Sequence, residues 1–156
     1  MCVGRRPLSL ALPGLALIVL GCLSVVVSYF LLPLTVSDCF DVCGYPIYTY
    51  AWEVTLRALA PYDFQAALGS AFILVALNLP LLAPMTMVGG SVGFLVHPHR
   101  AFAAWNVWAW RAGMSAVVLL FLFVIFLSRP DLGYAGMWVG YGLLWVGNRL
   151  SVRKQP

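Results

Sequence analysis

Between Leu8 and Leu34 the chain carries no charged side chain, and the same holds from Phe64 to Val88 and from Leu132 to Gly147. A fourth apolar run, Ala101 to Ser128, contains a single charge, Arg111. A helix needs about 20 apolar residues to cross the hydrocarbon layer of a bilayer. Composition agrees: 63% of the residues are hydrophobic, 9% are charged, and the mean hydropathy is +0.95. Soluble domains carry about 25% charged residues. At 156 residues the chain has room for one domain. The expected fold is therefore an all-α integral membrane protein forming a single domain over residues 1–156. It is a four-transmembrane-helix bundle with helices at about 8–34, 64–88, 101–128 and 132–148.

The net charge of +4 does not point to nucleic acid, because there is one lysine, Lys154, and the arginines are scattered between apolar runs. The first run has the basic start of a secretory signal, and V19-L-G-C22 resembles a lipoprotein cleavage box. After Cys22, however, L-S-V-V-V-S-Y-F continues the helix where a lipoprotein turns polar. The run is read as a retained first helix.

Charge also orients the chain. Arg5, Arg6, Arg100, Arg111, Arg149, Arg153 and Lys154 are seven positive charges at the N-terminus, around the start of the third run and in the tail. The segment from Leu34 to Asp63 holds Asp38, Asp41, Glu53 and Asp63 against Arg57. Four crossings put both termini on one side, and the excess of basic residues places that side in the cytoplasm. The expected location is a multi-pass cell membrane protein, of a kind that suits a prokaryotic plasma membrane, with the cysteine-containing loop outside.

Small residues mark the packing faces. Gly14, Gly21, Ser24 and Ser28 step by seven, three and four along the first helix, the spacing of a left-handed seam. G136-x-x-x-G140, with Gly133 and Gly147, supplies small residues on the fourth. Within lipid such residues let backbones approach closely. Gly14, Gly21, Ser28, Gly136, Gly140 and Gly147 are the expected helix-packing positions. Tyr134, Trp138, Tyr141 and Trp145 form a separate stripe, either a shelf for a pigment, quinone or lipid tail or plain bundle packing. The second run and its extension to His97 are too long for one straight crossing, so a kink is expected at Pro80–Pro84, accompanied by Asn78. Arg111, beside Trp105, Trp108 and Trp110, either snorkels to the headgroups or points inward to hold an anion. Between the first two runs, T49-Y-A-W-E-V-T-L-R-A-L-A60 puts Trp52, Leu56 and Leu59 on one face. Glu53 and Arg57 pair at i,i+4, and the segment reads as a short interfacial helix at about 49–60.

Chemistry is sparse. No carboxylate lies inside any run, and neither a phosphate-cradling loop nor a metalloprotease motif is present. His97 and His99 share one short turn without further ligands nearby. In D38-C-F-D-V-C-G44, Cys39 and Cys43 lack the four ligands of structural zinc. They also lack a second cysteine pair in the other outer loop, R129-P-D-L-G133, as a disulfide relay would want. A structural disulfide between Cys39 and Cys43 on the oxidising face is the expectation. No catalytic residue, metal or cofactor is expected. The candidate polar or ligand positions are Asn78, Arg111, Trp138, Tyr141 and Trp145. The leading functional class is a non-catalytic accessory subunit or scaffold whose partners are membrane lipid and other membrane subunits or further copies of itself. A small transporter, channel or lipid-, quinone- or pigment-binding protein is the alternative, and a thiol–disulfide oxidoreductase the third.

Overall fold

A computed structural model of the chain describes residues 12–37, 47–59, 64–96, 100–127 and 129–152. Cys39, Cys43, His97, His99 and the basic residues Arg5, Arg6, Arg153 and Lys154 lie outside the described residues. The described chain is mostly helical: α1 (Leu12–Phe30), α2 (Ala51–Ala58), α3 (Phe64–Val96), α4 (Arg100–Leu127) and α5 (Leu132–Val152). Among the described residues, three stretches are long and apolar enough to cross a membrane: Leu12–Phe30, Gly69–Val96 and Arg100–Leu122. α5 is of similar length but less apolar, because glycine, tyrosine and tryptophan replace aliphatic residues along it.

α1 packs most extensively on α5, and α3 on α4; α1–α3 and the looser α4–α5 contact close the ring. Gly14 meets Gly147 and Gly21 meets Gly140, so α1 and α5 run antiparallel. On α1 the buried residues Gly14, Ile18, Gly21, Val25 and Ser28 recur at steps of four and three, one continuous stripe facing the core. The outward faces are apolar on all four long helices: Leu20, Leu23 and Val27; Phe72, Val75 and Leu82; Leu119, Leu122 and Ile125; Val139 and Val146. Soluble monomers rarely expose contiguous apolar patches beyond a few hundred Å². A belt of this kind is stable against lipid tails.

α3 takes in both the expected span at about 64–88 and the extension read beyond it toward His97. It is helical from Phe64 through Pro80 and Pro84 to Val96, about 50 Å at the rise of a straight helix. The stretch beyond the prolines is thus a continuation of the same helix.

The end of the bundle away from Leu12 and Val152 carries a small cap. Strands β1 (Thr35–Ser37), β2 (Ile47–Thr49) and β3 (Arg129–Pro130) form an antiparallel sheet in the order β2-β1-β3. Val36 pairs with Tyr48 on one side and Arg129 on the other. Flanking backbone bonds extend the seam: Leu34 N–H donates to Thr49 O (2.7 Å), Asp131 N–H to Leu34 O (3.2 Å) and Gly133 N–H to Pro33 O (2.9 Å). A side chain at Gly133 would stand 2.7 Å from Pro33 O, so this close approach requires glycine. The sheet is an addition to the expected all-α fold. Segments of three residues are too short to display the alternating pattern that announces a strand.

α2 falls within the short helix expected at about 49–60, and the face it turns to the bundle is not the apolar stripe. Ala51 and Ala58 are buried and Thr55 reaches α1, whereas Leu56 and Leu59 are 57% and 62% exposed. Small residues at i, i+4 and i+7 let the short helix lie close on the bundle, which turns the two leucines outward. Trp52 alone of the expected apolar face packs partly against the core.

Candidate functional site

Several polar side chains inside the bundle sit where two or three helices meet. Proline makes the first of these places. Pro84 has no N–H, so the carbonyl of Pro80, four residues earlier, loses its helical donor. Tyr141 of α5 supplies a substitute: its hydroxyl donates to Pro80 O at 2.9 Å in a buried contact. Membrane helices tolerate interior proline when neighbouring groups satisfy the freed carbonyl in this way. The tyrosine reaches α3 by passing over Gly113 of α4, where an added Cβ would collide with the Tyr141 hydroxyl and stand 2.7 Å from Ala83 Cβ. Trp110 then donates its indole N–H to Tyr141 O at 3.0 Å. α3, α4 and α5 are joined at this one level.

Asn78 forms the second junction. Its amide nitrogen donates to Leu74 O (2.7 Å), one turn back along α3, and its oxygen lies 3.2 Å from the Tyr29 hydroxyl of α1. That hydroxyl is also 2.5 Å from Thr55 Oγ1, which ties in α2. A third junction joins α3 to α4 at the opposite end. Asn106, 4% exposed, donates to Ser91 Oγ (2.9 Å), and Ser91 donates to Met87 O (2.7 Å). Asn106 Oδ1 has no hydrogen-bond partner and packs onto Gly90, where any side chain would displace it.

The small-residue positions lie along the α1–α5 seam. A Cβ on Gly21 would stand 2.7 Å from Gly140 O, one on Gly140 2.8 Å from Gly21 O, and one on Gly147 2.7 Å from Gly14 O. Gly136 faces the Ser28 hydroxyl, and Ser24 donates to Gly136 O at 2.9 Å. Backbone therefore meets backbone along most of the seam.

The aromatic stripe of α5 divides. Tyr134 and Tyr141 are buried, and Tyr134 donates to Leu120 O of α4 (3.3 Å). Trp138 and Trp145 face outward, the first edge-on to Phe121 at 6.1 Å and the second under Arg149 at 5.0 Å. The stripe is thus split between two buried packing residues and two outward-facing tryptophans. Arg111 is exposed on α4 with its guanidinium 5.8 Å from the Trp108 ring, which is directed away from the bundle interior. Among the described residues, no three of His, Cys, Asp and Glu gather into a metal-binding group.

Tyr29, Thr55, Asn106 and Gly113 were not singled out from sequence, and Trp110 was read only as part of the aromatic belt beside Arg111. The two interior prolines are the signal of such a contact, since Pro80 and Pro84 each leave the carbonyl four residues earlier in need of a donor. Compared with known protein families, curated proteins and solved structures, the chain matches none.

Proposed function

We propose that the chain is a four-helix integral membrane protein with both termini in the cytoplasm, acting as a non-catalytic structural subunit or scaffold of a larger membrane assembly. One observation carries the reading. Most of the polar groups inside the bundle bind its helices to one another, as in Tyr141–Pro80, Tyr29–Asn78 and Ser24–Gly136, with Asn106 Oδ1 and Asn148 Oδ1 as the buried exceptions, while the outward surfaces of the long helices are mainly apolar. Such an interior favours a fixed body over a conduit, because a polar path needs side chains free to meet a solute. Gly69 and Gly89 on α3 and Gly142 on α5 have nothing within 4 Å of where a Cβ would stand. Open glycines at the surface of membrane helices let a further helix come close.

In this reading α5 is the fourth span, carried across by its packing on α1. The sheet and α2 lie outside, with Leu56 and Leu59 turned into the interface. Cys39 and Cys43, in the segment between β1 and β2, close a disulfide on the oxidising side. Differential alkylation with mass spectrometry reads this directly. Two thiols labelled without prior reduction would remove the disulfide.

The test of the scaffold is gentle extraction of the tagged chain from its native membrane, followed by native electrophoresis and quantitative mass spectrometry. Other membrane proteins, or further copies of the chain, are expected in fixed stoichiometry. A monomer under every mild condition overturns the proposal.

A further inference from the structure

The outer face of α4 carries an open groove of about 400 Å³ lined by Trp110, Arg111, Met114, Ser115, Val118 and Leu119. It is shallow and open along the helix, the form of a surface that takes an elongated partner lengthwise. Two features make it more than a dent between side chains. Its wall is held in place, because the Trp110 indole is fixed by its bond to Tyr141 O (3.0 Å). Its polarity is also graded along the helix. Arg111 stands at one end, Ser115 one turn deeper on the same side, and Val118 and Leu119 one turn deeper again.

Depth matches that gradient. From Arg111 to Leu127, at the last turn of α4 before the sheet, is about 24 Å at 1.5 Å per residue. The hydrocarbon layer is about 30 Å thick. Arg111 therefore sits about one turn inside the opposite boundary, and its guanidinium lies over Trp108, one turn nearer that boundary. This is the position of a snorkelling arginine at the level of lipid phosphates. Arg100 and Arg149 occupy the same end. The described carboxylates, Glu53 and Asp131, belong to the elements at the other end.

We propose that this groove is a seat for one acidic phospholipid from the cytoplasmic leaflet. Arg111 takes the phosphate, Ser115 lies beside the glycerol ester, and Val118 and Leu119 with the flank of Met114 carry the first part of an acyl chain. A free phosphate would use the arginine alone and leave the apolar trough unexplained. A zwitterionic headgroup would bring its cation to an end already occupied by three arginines. The inference rests on the membrane reading above but not on the scaffold role.

The test uses the full chain in nonionic detergent, incubated with dioleoyl-phosphatidylglycerol, with dioleoyl-phosphatidylcholine, or with phosphatidylglycerol plus excess inorganic phosphate. Retained lipid is counted by native mass spectrometry. The expected result is one phosphatidylglycerol held at least about tenfold in preference to phosphatidylcholine and not displaced by phosphate. Arg111→Gln should abolish the preference, Arg111→Lys should keep most of it, and Arg149→Gln should leave it in place. Val118→Trp fills the trough without touching the charge and should lose the lipid; this variant decides the matter if Arg111→Gln does not fold. Equal retention by Arg111→Gln or Val118→Trp, equal binding of phosphatidylcholine, or displacement by phosphate overturns the proposal. A chain missing from the membrane fraction would overturn the membrane reading itself. A membrane-bound chain without lipid preference overturns only this inference.

Discussion

At the scale of single residues, the contact between Tyr141 and Pro80 makes the sharpest prediction. Tyr141→Phe leaves the Pro80 carbonyl buried without a donor and should destabilise the bundle by about 0.6–2 kcal/mol, the span for polar contacts between membrane helices. Pro84→Ala restores an N–H four residues beyond Pro80. In that background the cost of Tyr141→Phe should shrink toward zero, so the two changes are strongly non-additive. Thermal unfolding of the four variants in micelles measures the coupling; simple additivity would refute the assignment. Gly113→Ala meets the same tyrosine and the Ala83 side chain, and should cost about 1–3 kcal/mol as an overpacked core position does. Part of this was legible in the chain, since the sequence marks Pro80–Pro84 as a break in regular helix bonding. The tyrosine that answers lies 61 residues away, and nothing in the linear order connects them.

Between elements, the α1–α5 seam and the open glycines allow a matched comparison. Gly21→Leu or Gly140→Leu forces backbones now in contact to separate, and should prevent a compact fold, read as lost helix content and aggregation on gel filtration. Gly142→Ala meets open space and should instead be neutral, or more stable by up to about 1 kcal/mol through helix propensity. A seam position that tolerates leucine as well as Gly142 tolerates alanine would show that the close approach does not hold the helices. The seam is visible in sequence because a helix repeats its face, so Gly14, Gly21 and Ser28 can be aligned by counting. The cap is not visible in that way. β1 to β3 are each two or three residues long, and their pairing depends on where α1 and α5 end. The inward face of α2 was hidden for a related reason: counting apolar residues selects Leu56 and Leu59, while close packing on α1 and α3 selects Ala51, Thr55 and Ala58.

For the whole molecule, topology is the property to test. A fluorescent protein fused after the tail should fold and fluoresce in the cytoplasm, and an exposed cysteine introduced at Tyr48 should react with an impermeant maleimide added from outside. The opposite pattern would invert the proposed orientation. The apolar runs pointed to a membrane class at once, because charge is excluded from lipid irrespective of fold, and three of the described stretches are long and apolar enough to cross one. Arrangement within the membrane was less accessible. Apolar surface gives little net attraction between helices in lipid, so neighbours are chosen by glycine contacts and a handful of hydrogen bonds. Those depend on depth and rotation, which hydropathy does not record.

The pairing of first helix with last sets the order in which the chain can be completed. α1 leaves the ribosome roughly 5–20 s before α5, at ordinary rates of synthesis. During that interval α3 and α4 can form their hairpin, but the glycine face of α1 and the free side of β1 have no final partner. Only the arrival of Leu132–Val152 and the strand before it seals both. A message cut short before that point yields a product with a bare groove and an open sheet edge, the features by which a membrane protease can tell an unfinished copy from a finished one. A chain truncated after Leu127 lacks both β3 and α5 and should therefore turn over faster than the full chain in a pulse-chase comparison, and coexpression of residues 128–156 as a separate segment should slow its loss.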